Sequence, residues 1–355
     1  MARTIISTVG TSLLSNYRRT HPGEEPGVDA LARYLKGADP VAASAETNAL
    51  SSPRLAEKGD ELRFIASETA DGRTCAEALR RHFAAQGASA GVAEATGLRA
   101  KESVFRGAGL RGLVSVIAQE IRAASRAGRE PRINATGGFK AEVAYAALVG
   151  LLFRVPVYYI HDTFREIIEM PPMPISWDLG VALDHEELLR RLDEEPRPAS
   201  EVEPQLQGLP EEARVLVESD GQTPAGYLLS VTGTVLLEAY DDALAEAAGM
   251  EVHLSGKAAR SLEGMDGPQQ AEFRRLLGAL RVKSLWAGRA EKVHSSDCLT
   301  WPKGHKSERM FFYEADDGSV RVCEVCLHDE YERLMARPRG VRKAAYRDFA
   351  PAPGA

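Results

Sequence analysis

The 355-residue chain is too long for one small core and long enough for two or three domains. Hydrophobic residues make up 44% and charged residues 27%, an ordinary globular balance. No apolar run approaches the roughly 20 residues needed to span a bilayer, and the opening MARTIISTVG lacks the apolar stretch of a signal peptide, so a cytoplasmic protein is expected. The formal charge of −7 hides an asymmetry: residues 251–355 carry 18 Lys/Arg against 15 Asp/Glu, and the remaining residues 26 against 36. An acidic front and a mildly basic back place the handling of any polyanion at the back.

The first half alternates strand-like and helix-like segments. A strand over Arg3–Thr8 runs into a Gly10-Thr11-Ser12 turn and a helical start, and residues 27–58 read as helices with loops. Further strands are predicted at 62–67, 132–135, 155–160 and 166–169, with helices at 75–86, 110–127 and 138–153. This alternation predicts a parallel sheet with helices on both faces, ending at the Pro-rich stretch 171–174. Residues 178–248 read as a small winged-helix-like connector: a helix at 183–192, strands at 213–218 and 227–230, and a helix at 231–247. Such modules often bind DNA, but the acidity of this one disfavours a duplex partner. From residue 249 the pattern is α+β: a strand at Val252–Leu254, helices at 256–264 and 268–280, strands at 290–295, 309–314 and 320–327, a helix at 329–336, and a basic tail from 338. Asp316-Asp317-Gly318 is a hairpin signal between the last two strands.

Two Gly/Thr turns fall at the carboxyl ends of predicted parallel strands: Thr8-Val9-Gly10-Thr11-Ser12 and Asn134-Ala135-Thr136-Gly137-Gly138-Phe139-Lys140. That end of an open α/β sheet is its ligand crevice, glycines there let backbone N–H groups approach phosphates, and Lys140 adds a point charge. Neither GxGxxG nor GxxxxGK[ST] occurs, so no dinucleotide cofactor or Walker-type NTP site is supported. The segments TIISTVGTSLL, INATGGFKAEVAYAALVGLLF and VPVYYIHDTFREIIEMPPMPISW resemble the CRISPR-associated Rossmann-fold (CARF) sensors over residues 3–177. The resemblance implies a homodimer that binds a cyclic oligoadenylate, most often the four-membered ring, across its two-fold axis. It implies contacts by Gly10, Thr11, Ser12, Asn134, Thr136, Gly137, Gly138 and Lys140.

Residues 251–337 resemble the RelE/ParE toxin fold, through a strand, a helical hairpin and the strands EKVHSS, RMFFYEADDG and VRVCEVCLHDEY. The resemblance implies a metal-independent endoribonuclease that cuts mRNA, generally in the ribosomal A site. It is carried onto Lys292 and His294, two apart in one strand, Arg309 opening RMFF, and His328 and Tyr331 at the end of the last strand. A family Arg expected near the final strand is replaced by His328, which leaves the acid and base assignments open. The basic run 303–309 and the tail 336–347 would suit ribosomal RNA. Two other readings stand beside this one: a transcription regulator using the middle module, and a nuclease acting on its own cyclic ligand, with the C-terminal part as a docking module. A zinc site from His294, Cys298, His305, Cys323, Cys326 and His328 is disfavoured, because Cys323 and Cys326 lie in a predicted strand where residues three apart face opposite sides. Buried thiols are the expectation for the cysteines.

Overall fold

The structure, a computed structural model, describes residues 2–99, 105–161, 166–173, 177–220, 226–246, 250–293, 296–302, 307–337 and 340–353. It divides into two compact units, Met1–Trp177 with Leu189–Glu238, and Asp178–Leu188 with Ala239–Ala355.

In the first unit, β1 (Arg3–Thr8) leads through α1 (Ser12–Thr20), α2 (Val28–Gly37) and α3 (Ala45–Leu50) to β2 (Glu61–Ser67). Then α4 (Ala70–Ala85), β3 (Ser89–Ala95), α5 (Leu110–Arg126), β4 (Glu130–Asn134), α6 (Lys140–Leu152), β5 (Val157–Tyr159) and β6 (Ile168–Met170) follow. The strands form one sheet in the order β3-β2-β1-β4-β5-β6, parallel except for β6, which returns antiparallel to β5. The chain thus builds outward from β1 to β3 and then crosses back to β4, which makes the β1–β4 junction the topological switch point.

All six residues of β1 are buried, because both faces of the sheet are covered. Ile5 enters one core with Leu13, Leu31, Phe64 and Leu79, while its neighbour Ile6 enters the other with Ile65, Leu113, Ile117 and Ile133. In α5 the buried residues Leu110, Leu113, Val114, Ile117 and Ile121 recur at helical spacing, the face that packs on the sheet. The strand β3 carries little sequence signal, since SAGVAEA is rich in Ala and holds a Gly; register with β2 at all seven positions holds it on the edge.

Residues 178–248, expected as a connector, are divided between the two units. In the first unit, β7 (Arg197–Pro198), β8 (Val217–Ser219) and β9 (Gly226–Leu229) form a small antiparallel sheet in the order β7-β9-β8. The stretch predicted as a strand at 213–218 is a 3-10 turn over Glu211–Leu216, with only its end extended. Val231 and Val235 of the following helix are buried in the same core as Ile6 and Ile133, and Arg122 pairs with Glu238 at 2.7 Å.

The second unit is a six-stranded sheet. Its elements are β10 (Val252–Leu254), α7 (Gly256–Glu263), α8 (Gly267–Leu280), β11 (Glu291–Lys292), β12 (Leu299–Trp301), β13 (Glu308–Glu314), β14 (Val320–Leu327), α9 (His328–Met335) and β15 (Ala350–Pro351). The order is β11-β12-β13-β14-β10-β15; β10 runs parallel to β14, and the other pairs are antiparallel. Both helices after β10 are side-chain capped, by Ser255 and by an Asp266–Gln269 capping box. No helix among the described residues is long and apolar enough to cross a membrane.

Candidate functional site

In the first unit the loops after β1 and β4 flank a cavity of about 710 Å³ at the carboxyl ends of the strands. Gly10, Thr11, Ser12, Thr136, Gly137 and Gly138 line it; Asn134 and Lys140 do not. The two loops meet backbone to backbone: a Cβ on Gly10 would lie 2.7 Å from the Gly138 N. A Cβ on Gly137 would lie 2.6 Å from the Thr8 O and run into Glu46, and Gly138 holds φ at +98°, where side chains are strained. The Thr8 hydroxyl donates to the Gly137 O at 2.6 Å and locks this approach. Asn134 is fully buried beneath the loop: its amide donates to Ser7 Oγ at 3.0 Å, and its Oδ1 accepts from the Thr136 hydroxyl at 2.7 Å. Ser12 Oγ accepts the Ala45 N–H, which ties the first loop to α3.

Two carboxyl groups lie under the glycines, and sequence reading missed both. Glu46, completely buried, accepts the Gly10 N–H at 2.8 Å through Oε1, while its Oε2 has no partner in the described structure. Burial pushes its pKa up. Glu142, on the third residue of α6 and 3% exposed, borders the cavity. Burial, and to a smaller extent the nearby Glu46 charge, raises it to about 7 against the pull of the Phe139 N–H. A carboxyl group three residues after a helix's first cap is a readable capping pattern, but Phe139 in the cap position hides it. Glu46 is the second residue of a six-residue helix whose capping box is made by Ser44 and Thr47. Arg99, also unanticipated, lines the cavity and is ion-paired with Glu68, whose carboxylate it holds down at about 2. Lys140 begins α6 and is exposed. Backbone N–H groups at the starts of α1 and α6, with Arg99 at the rim, suit a polyanion. The carboxyls beneath favour a ligand that also presents hydrogen-bond donors.

In the second unit one face of the sheet carries Arg309, Phe311 and Tyr313, which alternate along β13. Tyr331 stacks on Phe311 with centroids 5.7 Å apart, His328 stacks on Tyr331 at 6.3 Å, and the Arg309 Cζ lies 5.7 Å from the Tyr331 ring. Burial raises the Tyr331 pKa. Three predicted residues, Arg309, His328 and Tyr331, therefore come together. Lys292 does not join them. Its partner is Leu299, which pairs with Phe312, and Phe312 faces Trp286 on the opposite side of the sheet. Of the stretch predicted as a strand at 290–295, Glu291–Lys292 is extended and residues 294 and 295 lie outside the described residues; it is Glu291 that shares a face with Arg309. His294 lies outside the described residues, as do residues 303–306 of the basic run.

The same face holds a buried Glu324, 2% exposed, whose Oε1 accepts from the Tyr346 hydroxyl at 2.5 Å and from Lys257 Nζ. All four cysteines are buried free thiols. Cys298 and Cys323 approach to 3.7 Å, and Cys326 lies in the same apolar cluster with Phe311, Leu334 and Val341. Among the described residues no group of three His, Cys, Asp or Glu could hold a metal ion.

A family model described as CRISPR-associated protein (Cas_APE2256) matches residues 41–173, a stretch that includes the second Gly loop, Glu46 and Glu142. No curated protein matches the chain. Among solved structures, protein VC1899 from Vibrio cholerae is similar at 12% identity over 92% of this chain and 78% of its own, with a TM-score of 0.29. Can2 from Sulfobacillus thermosulfidooxidans, in complex with cyclic tetra-adenylate, is similar at 9% identity over 92% of this chain and 77% of its own, with a TM-score of 0.27. Scores this low say nothing about fold.

Proposed function

We propose that the chain is a cyclic oligoadenylate-gated endoribonuclease of a type III CRISPR response. Its first unit takes the cyclic ligand, cyclic tetra-adenylate being the first to test, and its second unit cleaves mRNA, with the ribosomal A site as the expected setting. The observation that carries the reading is the contact of the Gly10 and Gly138 loops over a 710 Å³ cavity at the β1–β4 switch point, partly within a stretch similar to a CRISPR-associated family. A homodimer is part of the proposal. Phe139 beside the cradle is 60% exposed and Ile168 on the edge strand 45%, apolar surface of the kind an isologous partner covers.

In the second unit the reaction proposed is attack by the RNA 2′-oxygen on the adjacent phosphorus. The 2′-O–P bond forms, the P–O5′ bond breaks, a base removes the 2′-OH proton and an acid protonates the leaving 5′-oxygen. Arg309 suits the charge on the crowded phosphate. Tyr331, stacked on the buried Phe311, and the exposed His328 offer ring faces to the flanking bases, and His328 suits proton transfer.

One observation favours a second reading. Glu142 borders the cavity with a carboxyl poised to hold a proton near neutrality, which would suit general-acid cleavage of the bound cyclic ligand itself.

The deciding experiment is mRNA cleavage in a purified translation mixture, with and without cyclic tetra-adenylate and ribosomes. Cleavage needing both supports the proposal in full. Ligand-dependent cleavage of free RNA keeps the gate and discards the ribosome. Consumption of the ligand with RNA intact supports the second reading and removes the first.

A further inference from the structure

The basic tail, expected to suit ribosomal RNA, packs against the sheet. Val341 is 1% exposed in the cluster with Phe311, Cys323 and Cys326, against which Tyr331, Tyr346 and Phe349 also pack. The chain then reaches the sheet edge, where Ala350–Pro351 adds β15 to β10. Residues 340–352 therefore cross the face that carries Arg309 and Tyr331.

That face is built of rings paired with cations. Arg321 lies 5.3 Å over Phe349, Lys343 5.5 Å over Tyr313, Lys257 5.9 Å over Tyr346 and Arg309 5.7 Å over Tyr331. Such pairs occur about once per 70–80 residues; three of these four join the tail to the face, so that with the tail lifted Tyr313 and Tyr331 stand beside Lys257, Arg309 and Arg321. Rings interleaved with cations are what successive bases and phosphates of a single strand require.

The tail is fastened at intervals, by backbone hydrogen bonds from the Gly256 N–H to the Arg347 O at 3.3 Å and from the Ala352 N–H to the Val252 O at 2.9 Å as well as by side chains. Val341 accepts from the Ser296 hydroxyl at 2.6 Å, the Lys343 N–H donates to Asp297 at 2.7 Å, and Tyr346 donates to Glu324. The final strand is two residues long, and residues 342–345, 347 and 348 are exposed. A segment anchored at Val341, Tyr346 and Phe349 with exposed residues between the anchors is of the kind that opens locally.

We propose that this face is a stacking platform for single-stranded RNA and that residues 341–351 are its intrachain occupant, which RNA displaces. Tyr346 and Phe349 hold the ring positions that bases take, and Glu324 is the catch released when the Tyr346 hydroxyl leaves. The proposal rests on the nuclease reading and adds the regulation of access to the same site.

The test uses the full chain and a fluorescently labelled single-stranded RNA decamer, read by anisotropy. In the double variant Tyr346→Phe, Phe349→Ala, RNA binding should tighten about tenfold or more. If that variant keeps its thermal melt and binds RNA no more tightly than the parent, the proposal is overturned. A second measurement needs no variant: saturating RNA should accelerate hydrogen exchange of the 341–351 amides in the unmodified chain, and unchanged or slower exchange overturns the proposal equally. Binding that responds as expected without any mRNA cleavage removes the nuclease reading and leaves the latch. Ligand-gated cleavage with a tail indifferent to RNA removes the latch alone.

Discussion

The two candidate sites are made of different material. The cradle of the first unit is backbone: Gly10, Gly137 and Gly138 bring two loops together at adjacent strand ends, with carboxyl groups buried beneath. The face of the second unit is side chain: four cation–ring pairs assembled from α7, two strands, the last helix and the tail. A backbone site fails when a single Cβ is added. A side-chain site fails only where the substituted group meets the substrate, and it is indifferent to residues on the other face of the sheet.

The sharpest contrast lies within the second unit. Arg309→Ala should lower ligand-activated mRNA cleavage on the order of 100- to 1000-fold, the usual cost of losing a charge stabiliser. Lys292→Ala, on the opposite face, should leave it within about twofold; equal losses in single-turnover assays would break the distinction between the faces. Next, Gly10→Ala should weaken cyclic tetra-adenylate binding on the order of 100-fold in calorimetry, since its Cβ would push against the Gly138 N and displace the loop by a fraction of an ångström. Retained affinity would show that the loops can part without consequence.

A third effect is on stability. Glu142 is raised to about 7 when folded, above its ordinary value of 4.5, so the folded chain keeps a proton that the unfolded chain releases. Its contribution is fully present below about pH 4.5 and is lost as pH rises through 7, a loss of about 3 kcal/mol. Denaturation read by hydrogen exchange of β1 and β4 peptides should show that slope, and Glu142→Gln should flatten it. The smallest effect concerns the thiols. Burial raises both Cys75 and Cys326 to about 12, so native alkylation at pH 8 should be slow in both units and become fast only on unfolding.

The first unit's sheet was largely legible because strand and helix periodicities alternate plainly, and the Gly/Thr turns mark the strand ends. The exceptions have physical causes. The edge strand β3 is held by its register with β2 rather than by propensity, and the capping box of the helix that carries Glu46 is made by Ser44 and Thr47. In the second unit the strands β13 and β14 were legible, whereas the facing of Lys292, in the two-residue strand β11, depends on pairing through β12, which no local pattern predicted.

By itself the sequence determined most of the longer strands and helices and where chain reversals expose glycine backbone, because those depend on neighbours a few residues apart. Only the tertiary structure decided that Glu46 and Glu142 lie beneath one cavity, that Arg309 and Lys292 face away from each other, and that the basic tail lies across the sheet. Each depends on register and packing between residues far apart in the chain, where a shift of one position turns a side chain to the opposite face.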